Sequence, residues 1–135
     1  MNVLLADDEF LVRSSLKSML LELDMGIHIA AEACDGEELV EKVKEYSPDL
    51  VFVDIKMPKL DGLSAIRSIK AQYPDTAWIV LTGFPVFEYA KESMELQVKK
   101  YLLKPVSMAD LRDAVDSVAR DQTVRLNKLN FEFEH

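Results

Sequence analysis

Cysteine occurs once, at Cys34, in a chain of 135 residues. A lone thiol excludes an intramolecular disulfide and a cysteine zinc cluster, and Cys34 reads as a buried free thiol. Long apolar runs are also missing. No stretch approaches the roughly 18 residues that cross a bilayer, and no basic start leads into a short apolar signal segment. The expectation is a cytoplasmic protein with no membrane partner. Positive charge is scarce as well: 16 Lys and Arg stand against 24 Asp and Glu, a net charge of -8. That balance opposes a direct grip on DNA, which depends on neutralising phosphates with cations. No internal repeat and no low-complexity linker divides the chain, whose length suits one domain.

What is present is a regular alternation. Near-continuous apolar runs recur at Val3 to Ala6, Ile27 to Ala33, Leu50 to Val53, Trp78 to Leu81 and Tyr101 to Leu103. Runs this short, without strict alternation, predict strands buried on both faces. Between them lie sets at steps of three or four, each predicting one apolar helix face. These are Val12, Leu16, Met19 and Leu23; Leu39, Val43 and Tyr46; Leu63, Ile66 and Ile69; Phe87, Ala90 and Met94; and Met108, Leu111, Val115 and Val118. The order βαβαβαβαβα implies an α/β fold with a parallel sheet and helices on both sides, because parallel strands need crossovers. Punctuation agrees. Asp35-Gly36 opens the second helix, Ser47-Pro48 and Tyr73-Pro74 close the second and third, and Ser107 with Asp110 starts the fifth. Periodicity fades after Arg120, so residues 121–135 read as a helix extension, a linker or an expression-derived tail.

Polar residues end these runs. Asp7, Asp8 and Glu9 follow the first, Asp54 the third, Thr82 and Gly83 the fourth, Lys104 and Pro105 the fifth. In an open parallel sheet the carboxyl ends share one edge, where ligands bind. Asp8 and Asp54 suit a hard divalent cation such as Mg²⁺. Asp54 can attack a phosphoryl group as a carboxylate nucleophile, with Thr82 and Lys104 holding the phosphoryl oxygens. Each residue also has a plainer use: Asp8 as a helix cap, Thr82 as a turn residue, Lys104 as a solvated surface lysine, and Asp61-Gly62 as a turn.

The stretches "VLLADDE", "PDLVFVDIKMPKLDG", "IVLTGF" and "KKYLLKPV" resemble, in order and spacing, the receiver domains of two-component response regulators. The resemblance covers roughly residues 1 to 120 and implies a flavodoxin-like (βα)5 three-layer sandwich with strand order 2-1-3-4-5. It implies Asp54 as phosphoacceptor, and Mg²⁺ bound by Asp8, Asp54 and the Lys56 main-chain carbonyl, with Asp7 acting through water. It further implies Thr82 and Lys104 on the phosphoryl group, Tyr101 as aromatic switch partner of Thr82, and a cis Lys104-Pro105 peptide. The implied phosphodonor is a sensor histidine kinase. The implied output is a change on the face of the fourth helix, fifth strand and fifth helix, with a homodimer through that face and DNA reached through an attached output domain. Such a chain is a phosphoacceptor switch and not an enzyme in the ordinary sense. The segment from "LTGF" to "LLKPV" looks like receivers that precede AraC-type DNA-binding domains. Two departures stand out: Gln97 replaces a glycine of the family pattern, which predicts a different turn before the fifth strand, and Lys99-Lys100 replace residues that are often acidic.

Rival functions fit less well. A haloacid-dehalogenase-type phosphatase needs a second aspartate two residues after the nucleophile, where this chain has Lys56. A flavin-binding electron carrier needs phosphate-binding donors in the first loop, where "DDEFLV" would repel one. A pseudo-receiver would lack functional groups that are all present. The two histidines, His28 and His135, carry no chemistry in this reading.

Overall fold

Strand and helix alternate along the chain as β1 (Asn2–Ala6), α1 (Phe10–Glu22), β2 (His28–Ala33), α2 (Gly36–Tyr46), β3 (Leu50–Asp54) and α3 (Gly62–Ile69). A 3-10 turn at Lys70–Gln72 follows, then β4 (Ala77–Thr82), α4 (Phe87–Glu95), β5 (Lys100–Leu103) and α5 (Met108–Glu134). The computed structural model describes residues 1–134, with side chains through Asn130; His135 lies outside the described residues. All strand pairs are parallel and the sheet order is β2-β1-β3-β4-β5. Strand order therefore reverses between β1 and β3, which opens a crevice at their carboxyl ends.

Two cores flank the sheet. On one side Leu39 and Val43 of α2 and Leu63, Ile66 and Ile69 of α3 pack on Val51, Val53, Trp78 and Val80. On the other, Leu16 and Leu20 of α1 and Leu111, Val115 and Val118 of α5 pack on Val3, Leu5, Phe52 and Ile79. Alternate residues of one strand thus serve opposite cores, which is why the central runs contain no polar residue. β3 is buried at every position. The expectation of burial on both faces fails at the sheet edges, where β2 and β5 are mostly half-buried. An edge strand has one neighbour, so its flank stays open however apolar its sequence.

Helix boundaries follow local chemistry. Asp35 Oδ1 accepts from Glu38 N at 2.8 Å and starts α2; Ser47, at φ 43°, ends it in the left-handed region. Ser107 Oγ accepts from Asp110 N at 3.1 Å and starts α5. Asp61-Gly62, read as a turn, is the start of α3, with Asp61 Oδ1 accepting from Ser64 N at 2.8 Å. Gln97 is a correction. Its φ of 59° is the left-handed conformation that a glycine would adopt, so the turn before β5 is kept despite the substitution.

Two further corrections concern exposure. Phe87 and Met94 of α4 are 75% and 79% exposed, so the set read as a core face points outward. The inward face is Tyr89, Ser93 and Leu96, and the Ser93 hydroxyl can be buried because it donates to the Tyr89 carbonyl at 2.7 Å. Cys34 is exposed rather than buried, since it lies one residue past β2 where the chain turns out toward α2. α5 continues unbroken to Glu134, so the segment after Arg120 is helical in the structure. Ion pairs tie it to the body: Lys99 to Asp121, and Asp75 to Arg125 at 3.3 Å. Lys100 pairs with Asp113 at 3.6 Å, so both departing lysines find partners on α5 within the chain. No helix among the described residues is long and apolar enough to cross a membrane.

Candidate functional site

Three chain segments remote in sequence meet at the carboxyl edge of the sheet. β1 delivers Asp7, which is buried, and Asp8, which is exposed. β3 ends on Asp54, 7% exposed. The loop after β5 sends Lys104 back across the edge, where Nζ donates to Asp7 Oδ2 at 2.6 Å and lies 3.4 Å from Asp54 Oδ1. The Lys104-Pro105 peptide is cis. Lys104 is therefore no solvated surface lysine: it is the half-buried cation of a triad with two buried carboxylates.

The plainer uses of the other residues also fall away. α1 has Glu9 rather than Asp8 at its N-cap, so Asp8 caps nothing. Thr82 is the last residue of β4 and fully buried, not a turn residue; its Oγ1 accepts from Phe84 N at 3.1 Å. Tyr101 lies opposite Val80 in the β4–β5 register, on the sheet face that Thr82 shares. Its ring packs against the core of α2 and α3, and its hydroxyl is buried with no hydrogen-bond partner. Burial and the neighbouring Tyr89 push its pKa upward. Lys56 is exposed, in the loop after β3.

Charge at the site is out of balance. Burial pushes the Asp54 carboxyl up to about 6, and the Asp7 and Asp8 charges push in the same direction against the pull of Lys104. Burial would lower the Lys104 pKa, yet the hydrogen bond to Asp7 and the Asp54 charge raise it overall. The site thus holds one ammonium among three convergent carboxylates and is short of positive charge. A hard divalent cation fits that donor set, because carboxylate oxygens are its preferred ligands and its charge relieves their repulsion. The carboxylates of Asp7, Asp8 and Glu9 come within 4.8 Å of one another. Glu9 is the N-cap residue of α1, and its carboxylate makes no capping bond.

Sequence reasoning missed two supports. Arg13 Nη1 donates to the Asp7 carbonyl at 2.5 Å, while its Nε pairs with Glu32 at 3.2 Å, and so braces the acidic loop. Its place one turn into α1, after an acidic pair, was the available signal. Gly62 lies so close to β3 that a Cβ there would sit 2.2 Å from the Asp54 carbonyl oxygen. Only the fold reveals that approach.

Comparison with known proteins agrees with this fold. The family model described as response regulator receiver domain matches residues 3–116. An uncharacterized transcriptional regulatory protein of Bacillus subtilis, YesN, is 37% identical over 116 residues, covering 86% of this chain and 32% of its own length. Among solved structures, the REC domain of the response regulator AraT from Geobacillus stearothermophilus superposes with a TM-score of 0.80 at 35% identity, covering 92% of this chain and 97% of that one. The CheX-CheY-BeF3-Mg+2 complex from Borrelia burgdorferi gives a TM-score of 0.80 at 29% identity, covering 87% and 88%. The chain spans about a third of YesN and about half of several other regulatory relatives. With the flavodoxin-like sheet order, the acid–lysine edge and the family match in agreement, the chain belongs to the response regulator receiver domain family of two-component systems.

Proposed function

We propose that this chain is a phosphorylation-activated switch in which Asp54 accepts a phosphoryl group from the phosphohistidine of a sensor histidine kinase. An Asp54 oxygen attacks phosphorus, the phosphorus–nitrogen bond breaks, and the imidazole leaves with the electron pair. The observation that carries the reading is the Asp54–Lys104–Asp7 triad at the topological switch point. Above about pH 6 Asp54 is mostly ionised, as a nucleophile must be, and its raised pKa keeps it more basic than an ordinary aspartate.

Asp8, Asp54 and the Lys56 carbonyl would hold Mg²⁺, with Asp7 acting through water. When bound, the ion neutralises charge on the transferring group. Lys104 already sits within reach of Asp54, so it is positioned to bind a phosphoryl oxygen without rebuilding the site. Its new bond is an exchange, since Asp7 holds Nζ beforehand. The bond from Thr82 is the larger gain, because a charge-assisted bond replaces only the neutral one that its Oγ1 accepts from Phe84 N. A charge-assisted hydrogen bond is worth about 1.5–3 kcal/mol, against roughly 5.5 kcal/mol to move a two-state equilibrium from one extreme to the other. Thr82 alone therefore shifts the population without saturating it, and a partner bound to the active form completes the change. Tyr101, whose hydroxyl has no partner to give up, follows Thr82 at little cost.

Two surfaces fit the implied partners. An apolar groove of about 460 Å³, lined by Leu11, Val12, Met19, Pro105 and Val106, opens beside Lys104, where a phosphodonor protein must lie. Phe87 and Met94 of α4 with Leu103 of β5 expose apolar area on the α4-β5-α5 face, which suits a homodimer through that face. We assign the receiver proper to residues 1–120 and residues 121–135 to an extension or linker toward an output domain, of which α5 covers the part through Glu134. Contact with DNA is assigned to that domain, in keeping with the net charge of -8 and the regulatory names of the relatives. The test is incubation with a small-molecule phosphodonor and Mg²⁺. One phosphoryl group should be added, and Asp54→Asn should abolish the addition; undiminished labelling of the Asn variant would refute the assignment.

A further inference from the structure

Two contacts tie Phe84, a residue 47% exposed, to groups outside its own loop; within the loop its carbonyl accepts from Val86 N at 2.8 Å. Its main-chain N–H donates to Thr82 Oγ1 at 3.1 Å. Its ring lies beneath the Lys56 ammonium, with Nζ 4.0 Å from the ring centroid. Lys56 follows Asp54 by two residues and Phe84 follows Thr82 by two, so the stacked pair bridges the loops that leave β3 and β4. Among the described residues, Lys56 makes no ion pair with a carboxylate. The aromatic face is its resting place.

We propose that Lys56 reads the charge on Asp54: it rests on Phe84 while Asp54 is unmodified and transfers to a phosphoryl oxygen when Asp54 is phosphorylated. The inference rests on the phosphoacceptor reading of Asp54. An ammonium over an exposed ring is held weakly, whereas a charge-assisted bond to a phosphoryl oxygen is stronger, and a compact charge on a flexible four-carbon stem can exchange one for the other. Thr82 is drawn to the same group. Both anchors of Phe84 are therefore claimed at once, and the segment Gly83–Val86 at the entrance to α4 is released. Phosphorylation in this scheme acts on the β4–α4 loop by removing its ties to the β3–α3 side, in addition to any movement of Tyr101.

The stacked pair has a direct spectroscopic signature, because protons over an aromatic ring resonate upfield. In protein labelled at the lysine ε-carbons, with the Lys56 signal assigned by its loss in Lys56→Met, the resting Lys56 ε-protons should lie upfield of the other lysines. Phe84→Leu should abolish that shift while still taking up one phosphoryl group by mass. Saturating beryllofluoride with Mg²⁺ should return the wild-type signal to the ordinary lysine range. A resting signal already in that range, or an upfield signal that persists at saturation, overturns the proposal. If Asp54 takes up no phosphoryl group, the parent reading falls and this one with it. If Asp54 is phosphorylated and Lys56 stays on the ring, only the charge-reading role falls.

Discussion

α3 and α4 carry apolar sets at the same helical spacing and meet opposite fates. Leu63, Ile66 and Ile69 are all within 3% of complete burial, whereas Phe87 and Met94 are among the most exposed apolar residues of the molecule. Spacing shows that residues share a face; it does not say which face is covered. α3 lies beside α2 on the same face of the sheet, and its inner side packs on Val51, Val53, Trp78 and Val80 of β3 and β4. α4 lies toward the β5 edge, where the sheet is four residues deep and half-buried, and it docks through a smaller set built on Tyr89, Ser93 and Leu96. A small hydroxyl residue brings that helix close to the sheet and leaves its largest apolar groups for another surface.

The sharpest way to break this contrast is truncation on each helix. Ile66→Ala should cost about 2–5 kcal/mol in denaturant unfolding, because it removes buried methylenes and leaves a cavity. Phe87→Ser should stay within about 0.5 kcal/mol, as an exposed substitution does. A comparable loss at Phe87 would mean that α4 is packed the other way round.

Gly62, which opens α3, and Gly83, in the loop before α4, sharpen the same point at smaller magnitude. A Cβ at Gly62 meets the Asp54 carbonyl oxygen at 2.2 Å, while one at Gly83 meets nothing within 4 Å. Gly62→Ala should cost about 1–3 kcal/mol by overpacking and displace Asp54, lowering phosphoryl uptake with it. Gly83→Ala should leave stability nearly unchanged. Equal stability of the two variants would show that the approach at Gly62 relaxes freely.

The strands that feed α3 and α4 end on buried polar residues of different kinds, which allows a test by pH. Asp54 binds its proton more tightly folded, at about 6, than at its ordinary value of 3.8. Between those values the unfolded chain releases the proton first, so ionisation favours unfolding; the penalty is absent below the ordinary value and complete above about 6. Asp54→Asn should therefore be more stable than the wild type at pH 7, by roughly 1–2 kcal/mol, with the difference vanishing as pH falls below about 4. Thr82→Ala, which removes no charge, should show an offset that does not vary across that window. A flat difference for Asp54→Asn would mean that the carboxylate is not destabilised by its surroundings.

The smallest effect concerns how the helices end. α3 passes into a 3-10 turn with ordinary backbone angles, while α4 stops at Gln97 in the left-handed region. Gln97→Gly should stabilise the protein by up to about 1 kcal/mol, because glycine adopts that conformation without steric cost. A destabilised glycine variant would point to a compensating contact of the Gln97 side chain.

How much of this could be read beforehand depended on range. Order of elements, strand positions to within a residue or so, the caps at Asp35 and Ser107, and the polar residues at strand ends are local properties of composition and period. They were readable because each depends on neighbours a few residues apart. The acidic pair, Asp54, Thr82 and Lys104 were readable as a group only because parallel topology places all strand ends on one edge. Missing from such a reading were Arg13 under Asp7, the Lys56–Phe84 stack and the close approach at Gly62, since each is a contact between separate segments, and the exposure of Cys34, which depends on what the fold leaves uncovered.

Sequence by itself determined an alternating α/β chain whose buried strands end in acids, a hydroxyl and a lysine, because backbone pairing and apolar burial act on short, regular patterns. Only tertiary structure decided which face of α4 is covered, that Lys104 joins Asp7 to Asp54, and that Asp54 is pushed to about 6. Burial and electrostatic energy depend on distances in space, and those distances exist only once the sheet has brought remote residues to a common edge.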